Sequence, residues 1–215
     1  MAKILLLKRK APYGALLFLL LVFQFGCQSL TGKDPYWGTE PPARFSGTLL
    51  SIEPEKQLTE YSCGAAVLTS TMRYWHVTVD QAELLKEKPP GSPQHGYSLS
   101  ELKEMAKTHH FAAFAYRSDI QDIKQQLDAG RPLVVALVVD STYINDTGLL
   151  GMGLGKWVQQ MLSPSYRHYV IVIGYDETQL VLMDPVLGIK TVQQSDFLRL
   201  WHKLGNAALL VAMTG

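Results

Sequence analysis

Cys63, Gln57, His168 and Asp184 have the side-chain types that acyl chemistry on a carbonyl requires. Cys63 opens the run Cys63-Gly64-Ala65-Ala66-Val67, and the apolar spacing through Met72, Tyr74 and Trp75 predicts a helix from Cys63 to His76. At a helix start the unpaired N–H groups and the macrodipole favour an anion, and the thiolate is the nucleophilic form of sulfur. Gly64 lets another backbone come close. Taken alone, the run is better read as a small buried hydrophobe in a helix. Gln57, six residues earlier, lies on a loop able to fold back to that helix start. Its amide and the Cys63 N–H are two donors for a developing oxyanion. His168 precedes the apolar stretch Tyr169 to Gly174, and histidine is the usual base for a cysteine nucleophile. The segment Val181-Leu182-Met183 ends at Asp184-Pro185. Two strands joined around Asp176-Glu177-Thr178 set His168 and Asp184 side by side at one sheet edge, where the carboxylate fixes the imidazole tautomer. In isolation Asp184-Pro185 is an ordinary turn.

These residues need a frame. After the Cys63 helix, the pattern predicts a helix over Val79 to Glu87, closed by Pro89-Pro90-Gly91. Ser98 with Glu101 forms a capping box for a helix to about His109. Phe111 to Tyr116 reads as a strand, and Ser118 with Gln121 opens a helix that stops at Gly130. Leu133 to Val139 is a continuous β-branched run, as a buried strand requires. Strands follow at Tyr166 to Tyr175, Gln179 to Met183 and Ile189 to Val192, separated by Asp, Gly and Pro turns. Ser195 caps a last helix to Lys203, and Ala207 to Met213 closes as a strand. Helices first and strands afterwards predict an α+β domain, with N-terminal helices packed on a C-terminal antiparallel sheet. Between two strands, Asp140 to Ser165 is a long insertion, with Lys156 to Leu162 as a short amphipathic helix.

The chain has 215 residues and a net charge of +1, enough for one domain with a substantial core and no electrostatic case for nucleic acid. Lys3, Lys8, Arg9 and Lys10 precede an apolar run from Ala11 to Phe25, the pattern of an export signal. That run is shorter than the about 20 apolar residues of a permanent span. The residues Val22-Phe23-Gln24-Phe25-Gly26-Cys27 resemble a bacterial lipobox, which implies lipidation of Cys27. Gln24 and Phe25 depart from its usual pattern. The expected organisation is a signal over 1–26, a Gly- and Pro-rich tether over 27–47 and a domain over 48–215. Cys27 and Cys63 are the only cysteines. With Cys27 assigned to the anchor, Cys63 stays a lone thiol in an oxidising compartment, where a reactive role explains its retention. The scattered His76, His95, His109, His110 and His202 lack zinc-site spacing, so neither metal nor cofactor is expected.

Three segments together resemble the C39 peptidases, papain-like bacterial cysteine peptidases named for the domain that removes double-glycine leaders. They are Gln57-Leu-Thr-Glu-Tyr-Ser-Cys63-Gly-Ala-Ala, His168-Tyr-Val-Ile-Val-Ile-Gly and Val181-Leu-Met-Asp184-Pro. The similarity runs from about Lys56 to Val211 and includes Gly96-Tyr-Ser-Leu-Ser-Glu-Leu102, Arg131-Pro-Leu-Val-Val135 and the Trp201 region. It implies a papain-like fold, with Cys63 as nucleophile, His168 as general base and acid, Asp184 as orienting residue and Gln57 as oxyanion donor. It also implies a polypeptide substrate, with a glycine-containing cleavage site as one form. The chain lacks the nucleotide-binding motif of transporter-fused members. It is closer to free-standing exported members, held by a lipid at the bacterial envelope, at the outer rather than the inner membrane, and working beside a separate secretion system. Two alternatives stay open: acyl transfer to an amine on the same fold, and a non-enzymatic lipoprotein that escorts a secreted chain.

Overall fold

The computed structural model describes residues 37, 38, 40, 45–92, 95–140, 143 and 166–214. The chain divides into two units, Met1–Lys33 and Asp34–Gly215, and every described residue belongs to the second. The export signal, Cys27 and the helix expected at Lys156 to Leu162 lie outside the described residues, as does most of the tether and of the insertion. Among the described residues no helix is long and apolar enough to cross a membrane.

The elements run β1 (Thr48–Leu49), α1 (Cys63–Tyr74), α2 (Gln81–Glu87), α3 (Leu99–Thr108), β2 (Phe111–Arg117), α4 (Ile120–Asp128), β3 (Leu133–Val139), β4 (Tyr166–Tyr175), β5 (Gln179–Asp184), β6 (Gly188–Gln193), α5 (Gln194–His202) and β7 (Ala207–Met213). Among the described residues the strands form one antiparallel sheet in the order β2-β7-β3-β4-β5-β6, with β1 added beside β4. Two apolar cores sandwich it. One gathers Val67, Leu68 and Met72 of α1, Leu84 of α2 and Leu102 and Met105 of α3 over Val134, Ile171, Val181 and Leu209. The other sets Ile123 and Leu127 of α4 and Phe197, Leu200 and Trp201 of α5 over Val135, Val170, Leu182 and Ala208. Both faces of β3 are therefore covered, which is why Leu133 to Val139 carries no polar alternation. The α+β order and the antiparallel sheet are as the pattern predicts. The split of helices between two faces is an addition, because α4 and α5 follow strands that send them across the sheet.

The capping chemistry agrees in one place and differs in two. Ser98 and Glu101 make the reciprocal capping box of α3. At α4, Asp119 rather than Ser118 accepts from the first-turn N–H groups, since a carboxylate at the cap outcompetes a hydroxyl one residue too early. Ser118 instead donates to Asp122 at 2.5 Å. At α5, Ser195 lies inside the first turn, and the helix starts at Gln194 directly off β6 without a side-chain cap. Within the stretch expected as tether, Gly38 bridges β6 through Leu187 and Ile189, and Phe45 packs on the first core.

Gly96 fixes the approach to α1. Its φ is +70°, and a Cβ there would lie 2.7 Å from the carbonyl oxygen of Tyr61, on the loop leading into Cys63. Gly96→Ala is expected to cost about 1–2 kcal/mol, through backbone strain and that clash. The check is the urea midpoint at unchanged slope. A wild-type midpoint would mean that this contact does not lock the loop.

Candidate active site

Cys63 is the first residue of α1, 7 % exposed, and its thiol is in no disulfide. The N-cap Ser62 makes no capping bond with its side chain, which accepts from the Thr59 N–H at 2.9 Å and donates to the Thr59 carbonyl at 3.1 Å. No acidic side chain stands in the first turn of α1. The positive end of the helix is thus neither capped by a side chain nor neutralised, an environment that favours an anion at Cys63. Gly64 admits the side chains of Tyr97 and Leu102, to which an added Cβ would come within 3.2 and 3.1 Å, rather than another backbone.

His168 arrives from the sheet. In β4, Val170 and Val172 point into the second core, as does Leu182 opposite Val172. Side chains two apart share a face, so His168 and Asp184 emerge on that face as well. His168 Nε2 lies 2.9 Å from Asp184 Oδ1, with both side chains 1 % exposed. Cys63 lies near enough to act on the charge of the His168 ring. With Nε2 committed to Asp184, Nδ1 is the buried ring nitrogen that remains for the sulfur.

Asp184 ends β5 and opens the turn at Pro185. Its Oδ1 also accepts from the N–H groups of Val186 (2.7 Å) and Leu187 (3.2 Å). The residue is both a turn former and the partner of His168, and the turn bonds hold its carboxylate in place for the second role. Burial opposes a charged imidazole. The Asp184 charge and hydrogen bond, joined by the effect of nearby Cys63, outweigh it and raise His168 well above the ordinary 6.5. Burial also opposes the Asp184 carboxylate, but the His168 charge and hydrogen bonds from His168, Tyr143 and Val186 hold it below the usual 3.8.

Gln57 is tied to the same turn through its backbone, whose N–H donates to the Pro185 carbonyl at 3.0 Å. Its Nε2 donates to the Thr59 carbonyl at 2.8 Å. An amide nitrogen carries two hydrogens, so this bond uses one of them. Cys27 lies outside the described residues.

A family model described as the Peptidase_C39 like family matches residues 49–209. The chain belongs to this family. A relative from Pseudomonas fluorescens, the probable functional amyloid protease FapD, is 24 % identical over an alignment of 161 residues that covers 72 % of this chain and 59 % of that one. The match therefore spans under two thirds of that relative's length. Among solved structures, a C39-like peptidase from Bacillus anthracis superposes with a TM-score of 0.59 at 18 % identity, covering 80 % of this chain and all of that one. The peptidase domain of Streptococcus ComA gives 0.55 at 19 %, covering 75 % and 98 %. A double-glycine motif protease from an AMS/PCAT transporter, solved with its leader peptide, gives 0.55 at 16 %, covering 81 % and 98 %. At these identities the structures establish the shared papain-like fold, with helices and an antiparallel sheet.

The C39-like site contains residues that motif reasoning missed. Tyr143 Oη donates to Asp184 Oδ2 at 2.6 Å, and Lys190 Nζ donates to the Tyr143 carbonyl at 2.9 Å. Tyr143 stands in the insertion, where no periodicity marks it. Lys190 did leave a signal: it shares a face of β6 with buried Val192, and a lysine in a buried register calls for a partner. Tyr169 is held in its phenol form, first by burial and then by the charge of Cys63.

The pair's effect on stability has a definite sign. A folded His168 that holds its proton more tightly than the unfolded chain contributes fully below 6.5, and the contribution is lost as pH rises through the folded value. Asp184 contributes fully above 3.8 and loses its share as pH falls. Removing one partner of a buried pair costs about 3–5 kcal/mol, so Asp184→Asn should be that much less stable near pH 6. Urea midpoints should fall more steeply with rising pH in wild type than in Asp184→Asn. Parallel pH profiles would contradict the raised His168.

Proposed function

We propose that this C39-like chain is a cysteine peptidase whose nucleophile is Cys63, acting on an exported polypeptide. The observation that carries the proposal is the buried His168–Asp184 pair at 2.9 Å, with Cys63 at the start of α1 near enough to act on the charge of His168. In the reaction, the Cys63 sulfur attacks the scissile carbonyl, and the oxyanion forms against the Cys63 N–H and the Gln57 amide. The imidazolium of His168 gives its proton to the leaving amine, which departs and leaves an acyl-thioester. His168, now neutral, takes a proton from water, and the hydroxide carbon–oxygen bond replaces carbon–sulfur, releasing the acid and restoring the pair.

A polypeptide substrate is supported by the relative named as a protease and by the transporter protease solved with a leader peptide. Exposed apolar residues on the loop that leads to the thiol, Leu58 and Tyr61, offer a surface that a peptide chain would cover. We further propose that residues 1–26 export the chain and that Cys27 anchors it by a lipid at the bacterial envelope, on the strength of the basic start, the apolar run and Gly26-Cys27.

Cys63→Ala should fold as wild type and lose both processing and alkylation at that position. The exported proteins of wild-type and Cys63→Ala cells should differ by one or more unprocessed chains, seen by mass spectrometry. Identical exported sets under conditions where the wild-type protein is made would overturn the proposal. Gln57→Ala should lower kcat by about 10²–10³-fold, the measured worth of one oxyanion donor elsewhere. An unchanged kcat would remove Gln57 from the mechanism.

A further inference from the structure

The reaction as proposed leaves a buried pair of polar side chains without a part. Tyr143 is 5 % exposed and Lys190 9 % exposed, and neither belongs to a motif of the family resemblance. Tyr143 stands three residues beyond Asp140, just after β3 ends, and Lys190 lies in β6 opposite Leu182 of β5. The Tyr143 hydroxyl donates to Asp184 Oδ2 at 2.6 Å, the oxygen that His168 does not use. Lys190 holds that tyrosine from two directions: Nζ donates to its carbonyl at 2.9 Å and sits 3.7 Å from its ring centroid.

The arrangement makes physical sense as a setting for Asp184. The carboxylate would be free to rotate about its last bond if only Oδ1 were held. With Oδ1 taken by His168, Val186 and Leu187 and Oδ2 by Tyr143, its plane is fixed. A donor on Oδ2 also draws charge away from Oδ1 and limits how tightly the carboxylate retains the His168 proton, which the reaction must release. Tyr143 is a permanent donor, because burial, followed by the charge of Asp184, keeps the phenol protonated. The charges balance too. Once the sulfur ionises in the reaction as proposed, it and Asp184 carry two negative charges against the one positive charge of His168, and Lys190, 9 % exposed, brings a second positive charge to this region.

We infer that Tyr143, held by Lys190, is a positioning residue of the peptidase reaction that fixes the Asp184 carboxylate and tunes the proton affinity of His168. The inference rests on the reading of Cys63, His168 and Asp184 as the catalytic set. A tyrosine that merely anchors the chain after β3 would give stability and leave proton affinities alone.

The test uses the full chain and iodoacetamide, with alkylation at Cys63 followed by peptide mapping so that Cys27 is scored separately. The rate against pH has an upper step where the imidazolium loses its proton. The groups facing His168 that set this step are Cys63 from α1, Asp184 from β5 and, through Asp184, Tyr143 and Lys190. Tyr143→Phe keeps the ring against Lys190 and removes only the hydroxyl. It should move the upper step to higher pH by about half a unit or more, because Asp184 then holds the His168 proton harder. Lys190→Met removes the balancing positive charge and should move the step in the same direction by a second route. A wild-type profile that shows the step, with both variants leaving it in place, would overturn this inference alone. A wild-type profile without the step would overturn the catalytic reading, and this inference with it.

Discussion

A buried ion pair constrains everything else in this protein. His168 and Asp184 meet at 2.9 Å, almost without solvent, and neither charge is stable there unless the other stays in place. The sheet satisfies that condition by putting the two on adjacent strands, on one face, joined by the short turn at Asp176 to Thr178. That turn is itself fixed by the Asp176 carboxylate, which accepts from the N–H groups of Thr178 and Gln179. A register slip of one residue between β4 and β5 would send one partner to the opposite core and leave the other unpaired. The apolar residues on both faces of these strands therefore do more than stabilise: they make the register unambiguous.

The second requirement is to bring the start of a helix to this pair. Helix α1 packs on the first core, while His168 and Asp184 lie on the side of the second. The loop before Cys63 is drawn in from two sides. Gly96 lets the backbone of the α3 approach run against Tyr61, and the Gln57 N–H bonds to the Pro185 carbonyl beside Asp184. The loop before Cys63 and the turn after Asp184 are thus one hydrogen-bonded assembly, although more than a hundred residues separate them in the chain. Gly38 extends it by bridging Leu187 and Ile189, the residues that follow that turn.

Much of this was legible in the residues themselves. The β-branched run of β3, the capping box of α3 and the punctuation around β4 and β5 act within a few residues of where they are read, and each element appears where its pattern put it. The juxtaposition of His168 with Asp184 was also legible, since a hairpin with a short turn leaves little freedom in register. What could not be read were contacts made by distant segments with no period to betray them. Nothing around Tyr143 announces a donor to Asp184, because the partner is 41 residues away and the intervening strands decide the meeting. The crossing of α4 and α5 to the other face was hidden for a similar reason: amphipathic spacing says that a helix has a buried side, not which side of a sheet it covers. Ser118 and Ser195 misled locally, because a hydroxyl near a helix start is a cap only if no better acceptor or strand boundary supersedes it.

The proposed mechanism turns on one condition: that His168 is a cation beside Cys63 at neutral pH. The most direct measurement is a pH titration of the His168 ring by NMR of histidine-labelled protein, assigned by its loss in His168→Gln. Both ring nitrogens are expected to stay protonated well above the ordinary value of 6.5, with the midpoint falling in Asp184→Asn. A His168 ring that titrates at or below 6.5 in the wild-type chain, with Asp184→Asn making no difference, would contradict it.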